Sequence, residues 1–212
     1  MSSHKSDGQN SDRAVSGEDA ILVGIQSALA DRPGVLPIAR GMSHVGEHAL
    51  GWMAAAGIGV VVSELRGDEV AAARYAQAGV GAFGAHAASV IIKRIVRRPR
   101  PAHPRIAVGV STPSRLSFPS SHATSTTAAA ILLGRAAGLP PAALPAVLVA
   151  PMMLSRLVLG VHYPSDVAAG ALVGAACAAA TTRSDRLAAR VTPRVWRALS
   201  SSRGPMRGMG VR

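Results

Sequence analysis

Five stretches of this chain carry no Asp, Glu, Lys or Arg, and they restrict the fold more than any other feature. They are Ala49–Ser63 (15 residues), Tyr75–Ile92 (18), Ala123–Gly134 (12), Leu139–Ser155 (17) and Val167–Thr182 (16). A helix needs about 17 to 25 apolar residues to cross the hydrocarbon of a bilayer, so several of these are short unless polar flanks sit among the headgroups. They are rich in Ala and Gly, as in AAAGIGVVV and VAAGALVGAACAAA. Small residues let helix backbones approach closely in lipid. The expected fold is therefore all-α: a polytopic transmembrane helical bundle of about five spans. An earlier segment, Asp19–Ala30, is apolar at helical spacing but only 12 residues long. It predicts an interfacial amphipathic helix or a helix packed at the membrane edge.

Composition agrees. Hydrophobic residues make up 49% of the 212, and mean hydropathy is +0.27. A disordered polycation is too poor in apolar residues to match this. A nucleic-acid binder is suggested by the net charge of +12. It fails because the basic residues bracket apolar runs and only 3% of residues are aromatic and able to stack on bases. Three regions are expected: a disordered tail over 1–18, a membrane domain over 19–182 and a basic tail over 183–212, the last either holding a short amphipathic helix near Val191–Leu199 or lying against anionic headgroups. No secretory signal is visible. Trp52 and Tyr75 are candidate interfacial anchors, and the lone Cys177 reads as small-residue packing.

Chemistry-bearing residues fall in three clusters. Lys93 to Pro101 ends the second run, Pro119 to His122 opens the third, and Ser155-Arg156 to Asp166 joins the fourth to the fifth. If the runs alternate across the bilayer, all three lie on one face. Lys93, Arg100 and Arg156 supply cations suited to phosphate oxygens. Ser120 stands at a helix start, where free N–H groups attract an anion. Arg94, Arg97 and Arg98 are explained by bilayer flanking alone. His162 has a carboxylate four positions on, Asp166, which can fix its tautomer and free the other ring nitrogen as a nucleophile. His122 is then available as general acid. Two histidines and a carboxylate also suit a metal, although three cations in one pocket would repel it. A transporter or scaffold would account for the spans but not for this constellation, because transporters place ionisable groups near the midplane. Only His86 lies mid-run; it reads as a packed polar group or as lining the route of substrate access. The site-side loop and the C-terminal tail each carry +7, so the positive-inside bias balances between the faces.

Taken together, Lys93-x6-Arg100-Pro101, Pro119-Ser120-Ser121-His122 and Ser155-Arg156-x5-His162-x3-Asp166 resemble the three-part signature of the type 2 phosphatidic acid phosphatase superfamily. These are membrane lipid phosphatases related to the vanadium haloperoxidases. Ser121 stands where the family usually has Gly. The resemblance implies that His162 attacks phosphorus to form a phosphohistidine, that Asp166 supports it, and that His122 protonates the leaving oxygen. It further implies that Lys93, Arg100, Arg156, Ser120 and Ser121 hold the phosphoryl oxygens, with no metal or other cofactor. The expected partner is a lipid phosphate in the plasma membrane, polyprenyl or glycerol in type, and not nucleic acid.

Overall fold

The computed structural model describes residues 17–201, with side chains to residue 184. Of the tail expected over 1–18, residues 1–16 lie outside the described residues, as do the last residues, 202–212. Seven α-helices follow one another: α1 Gly17–Leu29, α2 Val35–Gly46, α3 Leu50–Leu65, α4 Glu69–Val96, α5 Ser121–Ala136, α6 Ala143–Val158 and α7 Pro164–Ser201. Among the described residues no strand forms, and a single bridge joins Pro99 to Leu116. Each of the five uncharged runs lies mostly in one of α3 to α7, the first beginning one residue and the fourth four residues before its helix. Two compact units are distinguished, one ending at Ala178 and one beginning at Ala179; the second is helical through Ser201.

Local chemistry sets the helix ends. Asp68 caps α4 by accepting from the Ala71 N–H at 2.9 Å. Ser120 caps α5 in the same way, with Ala123 as donor. The apolar stretch 35–65 is broken between α2 and α3 by a short 3-10 turn, Glu47–Ala49. There His48 and Ala49 hold left-handed backbone, with φ of 50° and 61°. Such conformations are costly away from glycine.

The molecule is inverted relative to a water-soluble protein. α5 runs through the middle, packed on α4 and α6, and its Thr124, Ser125 and Thr126 are fully buried. Leu65 (83% exposed), Val80 (73%) and Leu172 (73%) point outward. That distribution suits a lipid solvent, where polar groups gather inside and apolar ones face out. Residues 35–65, 69–96 and 164–184 are long and apolar enough to cross a membrane; α6 is a shorter apolar helix. The interior is built mainly from alanine, with Ala56, Ala78, Ala82, Ala129 and Ala178 around Leu132, Met152 and Trp52. Trp52 is thus a core residue and not the interfacial anchor its amphipathic ring suggested. α7 meets α5 through glycine: a Cβ on Gly174 would lie 2.3 Å from the Thr124 carbonyl oxygen.

The helix α1 extends two residues beyond the sequence expectation, and Glu18 belongs to it. It packs on α6, with Leu22 fully buried. Gln26 donates to the Ala107 carbonyl at 2.7 Å and the Val158 carbonyl at 2.9 Å, and accepts from the Ala107 N–H at 3.0 Å. One side chain therefore fastens the long loop 97–120 to the end of α6.

Candidate active site

The last turns of α2, α4 and α6, the start of α5, the loop 97–120 and the turn before α7 meet around a cavity of about 450 Å³. Lys93, Arg100, Ser121, His122, Arg156 and His162 all line it, so six of the eight residues singled out from sequence share one space. Asp166 stands immediately behind His162, fully buried. Ser120 is also fully buried and absent from the lining. Its N–H donates to the Asp166 carbonyl at 3.0 Å, and its hydroxyl caps α5. Its geometry is that of a helix cap beneath the site.

Backbone carbonyls hold two of the cations and a hydroxyl holds the third. Lys93 Nζ donates to the carbonyls of Leu116 and Ser117, both at 3.1 Å. Arg100 donates through Nε to the Ser114 carbonyl at 2.8 Å and through Nη1 to the Val161 carbonyl at 2.6 Å. Arg156, 1% exposed, donates through Nη1 to the Ser43 hydroxyl at 2.7 Å. Burial lowers Arg100 to about 10, opposed by Asp166, and it stays charged at neutral pH. Fixed donors of this kind need little reorganisation when an oxyanion arrives.

The tautomer of His162 follows from its neighbours. Arg100 Nη1 lies 3.3 Å from His162 Nε2. A guanidinium only donates, so Nε2 is the unprotonated nitrogen. The proton then sits on Nδ1, which faces Asp166 Oδ2 at 3.5 Å. Burial, then the charges of Arg100, Arg156 and Lys93, hold the imidazole well below its ordinary pKa. The free site thus presents a neutral ring with Nε2 toward the cations. Asp166 Oδ2 also accepts the Tyr163 N–H at 2.8 Å, and Oδ1 takes Arg98 Nη1 at 3.0 Å.

Several partners escaped the sequence reading. Arg98, assigned to bilayer flanking, bridges Asp166 and Glu18 and lies 4.1 Å over the Tyr163 ring. Glu18 in turn accepts the Ser165 N–H at 2.8 Å. Ser89 donates to the His86 carbonyl at 2.6 Å and so accepts from the Ser121 hydroxyl at 2.8 Å. Ser43 serves two cavity residues, because its carbonyl also takes His122 Nε2 at 2.9 Å. One signal was available: Gly34 and Gly46 bracket α2 as start and stop.

Gly46 is required by His122. A Cβ there would sit 2.7 Å from His122 Cδ2 and 3.0 Å from Met152 Cε. Gly46→Ala is expected to displace the ring from the Ser43 carbonyl and lower kcat by about tenfold to a hundredfold, with KM little changed. Steady-state kinetics beside a thermal melt check this; a variant with reduced melting temperature but normal kcat would show that Gly46 serves packing alone.

Buried cations around an imidazole backed by a carboxylate, at the rim of a lipid-facing bundle, define a membrane hydrolase of lipid phosphates. Comparison with known proteins agrees. The model of the PAP2 superfamily matches residues 74–189. A protein of Mycobacterium tuberculosis named decaprenylphosphoryl-5-phosphoribose phosphatase is 60% identical over 164 residues, 77% of this chain and 88% of that one. Its namesake in Mycolicibacterium smegmatis is 60% identical over 154 residues, 73% and 81% of the two chains. Two solved structures share the fold at 21% identity. One is the PAP2-type phosphatidylglycerolphosphate phosphatase of Bacillus subtilis, with a TM-score of 0.57 over 79% of this chain and 85% of that one. The other is Aquifex aeolicus LpxE, with a TM-score of 0.58 over 82% and 98%. The chain belongs to the PAP2 superfamily.

Proposed function

We propose that this membrane phosphatase removes the 5-phosphate of decaprenylphosphoryl-5-phosphoribose, acting in the plasma membrane. The observation that supports the chemistry is the placement of His162 Nε2, unprotonated and facing Arg100, in the cavity shared with Lys93, Arg156 and His122. The substrate is supported by the 60% identity to phosphatases of that name. The Ala/Arg/Gly/Val-rich composition and the third motif His162-Tyr163-Pro164-Ser165-Asp166 point the same way.

The reaction has two halves. His162 Nε2 attacks phosphorus in line with the ester oxygen, forming the N–P bond as the P–O bond breaks. Lys93, Arg100, Arg156 and the Ser121 N–H carry the equatorial oxygens, where the negative charge lies in the transition state. Asp166 stabilises the ring as it becomes cationic. His122, protonated on both ring nitrogens beside the bound phosphate dianion, gives its Nδ1 proton to the departing alkoxide. Its Nε2–H is committed to the Ser43 carbonyl, which can only accept, so Nδ1 is the position left for proton exchange. Water activated by His122 then cleaves the N–P bond and releases inorganic phosphate.

The test is phosphate release by purified protein from a panel: the phosphoribosyl lipid, undecaprenyl diphosphate, phosphatidylglycerol phosphate and phosphatidic acid. The highest kcat/KM is expected for the phosphoribosyl lipid. A preference of tenfold or more, about 1.4 kcal/mol, for any other member would replace this assignment with that lipid.

A further inference from the structure

The cavity has a second wall that the phosphoryl chemistry does not use. Glu47 and His48, in the turn between α2 and α3, line it together with His86 of α4. His86 lies mid-helix within the uncharged run 75–92. An ionisable group at such a depth faces the interior and is a functional candidate by default. Its Nδ1 is buried with no protein partner, and its ring stands 5.7 Å from that of His48, inclined by 52°. Glu47 is flanked by His44 Nδ1 at 3.9 Å and His48 Nδ1 at 4.0 Å.

The backbone here is constrained to hold this arrangement. His48 and Ala49 are consecutive non-glycine residues in left-handed conformation. Glycines stand on both sides. Gly46 admits His122, and a Cβ on Gly51 would come within 2.4 Å of the Val45 carbonyl oxygen. Strain of this sort persists where the surroundings over-determine it, and it concentrates at functional sites.

The two walls differ in chemistry. Lys93, Arg100 and Arg156 favour an anion. Glu47 repels a second phosphate but accepts hydrogen bonds from hydroxyls, and neutral imidazoles both donate and accept. We infer that Glu47, His48 and His86 form a polyol subsite, hydrogen-bonding free hydroxyls of the alcohol from which phosphate is cleaved. The inference rests on the phosphatase assignment and deepens it: the subsite recognises a sugar or glycerol alcohol and discriminates against one with no hydroxyl.

Three phosphate lipids test this with purified Glu47→Gln and His86→Phe proteins in detergent. They are a short-chain prenylphosphoryl-5-phosphoribose, phosphatidylglycerol phosphate and phosphatidic acid, the last having no free hydroxyl on its alcohol. Each substitution is expected to lower the kcat/KM ratio of hydroxylated to hydroxyl-free lipid by about tenfold to a hundredfold, the effect of losing a hydrogen bond to a charged or buried group. An unchanged ratio would overturn the subsite, as would an equal loss on all three lipids, which marks a structural role. If the unmodified protein cleaves phosphatidylglycerol phosphate but not the phosphoribosyl lipid, the substrate assignment fails. The subsite is then still decided by the ratio of phosphatidylglycerol phosphate to phosphatidic acid.

Discussion

His162→Ala protein should lose at least about 10⁴-fold in kcat, the scale of removing a covalent nucleophile from a group that works as a unit. Lys93 and Arg156 remain in place because their bonds to carbonyls and to Ser43 do not involve the imidazole, and Arg100, though it loses its contact with Nε2, keeps its bonds to the Ser114 and Val161 carbonyls. Binding of the lipid phosphate, or of orthovanadate as its five-coordinate mimic, should therefore survive. With labelled phosphate and a rapid quench, unmodified protein should carry a label that is stable to alkali and lost in acid, as a phosphohistidine is. The alanine protein should carry none. The ring is 2% exposed, so a melt must accompany the assay. A folded His162→Ala protein with near-normal turnover would exclude the covalent route.

Asp166→Asn should be nearly as damaging, with kcat falling roughly 10²- to 10⁴-fold, as when the carboxylate behind a reacting imidazole is neutralised. Both carboxylate oxygens accept: Oδ1 from Arg98 Nη1 and Oδ2 from the Tyr163 N–H, with His162 Nδ1 facing Oδ2. An amide must place its NH2 group at one of these positions, and in either orientation a donor meets a donor. Toward Tyr163 and His162 it disfavours the Nδ1–H tautomer, and Nε2 loses its lone pair for attack. Toward Arg98 it sets an NH2 against a guanidinium. KM should change much less than kcat, because the phosphate-holding cations are untouched. A kcat within tenfold of normal would mean that Arg100 alone fixes the ring.

The spans were legible because a charge-free run is a local property, readable without knowing the fold. The site motif was legible for a related reason: helix ends carry its residues, and counting crossings brings those ends to one face. What escaped is held by contacts between distant parts of the chain. Arg98 looks like bilayer flanking until Glu18, 80 positions earlier, folds beside it. Gln26 shows no pattern that announces its bonds to Ala107 and Val158, 81 and 132 positions away. α2 was missed because Arg40 interrupts a short apolar stretch, and Ser43 was missed with it. Ser120 was legible as a helix start, and it does cap α5, but the burial of that cap comes from chain packed over it, which no local pattern announces.

Every group proposed to react lies inside residues 74–189, the portion shared across the superfamily. Some of the parts that seat them do not: Glu18 and Gln26 stand on α1, Ser43 and Gly46 on α2. Inheritance can then act on the two portions at different speeds. A substitution in the first fifty or so residues can reshape the surroundings of His122, His162 and Asp166 without touching a group proposed to react, which gives the chain a place to change its diet of lipids without reinventing its chemistry.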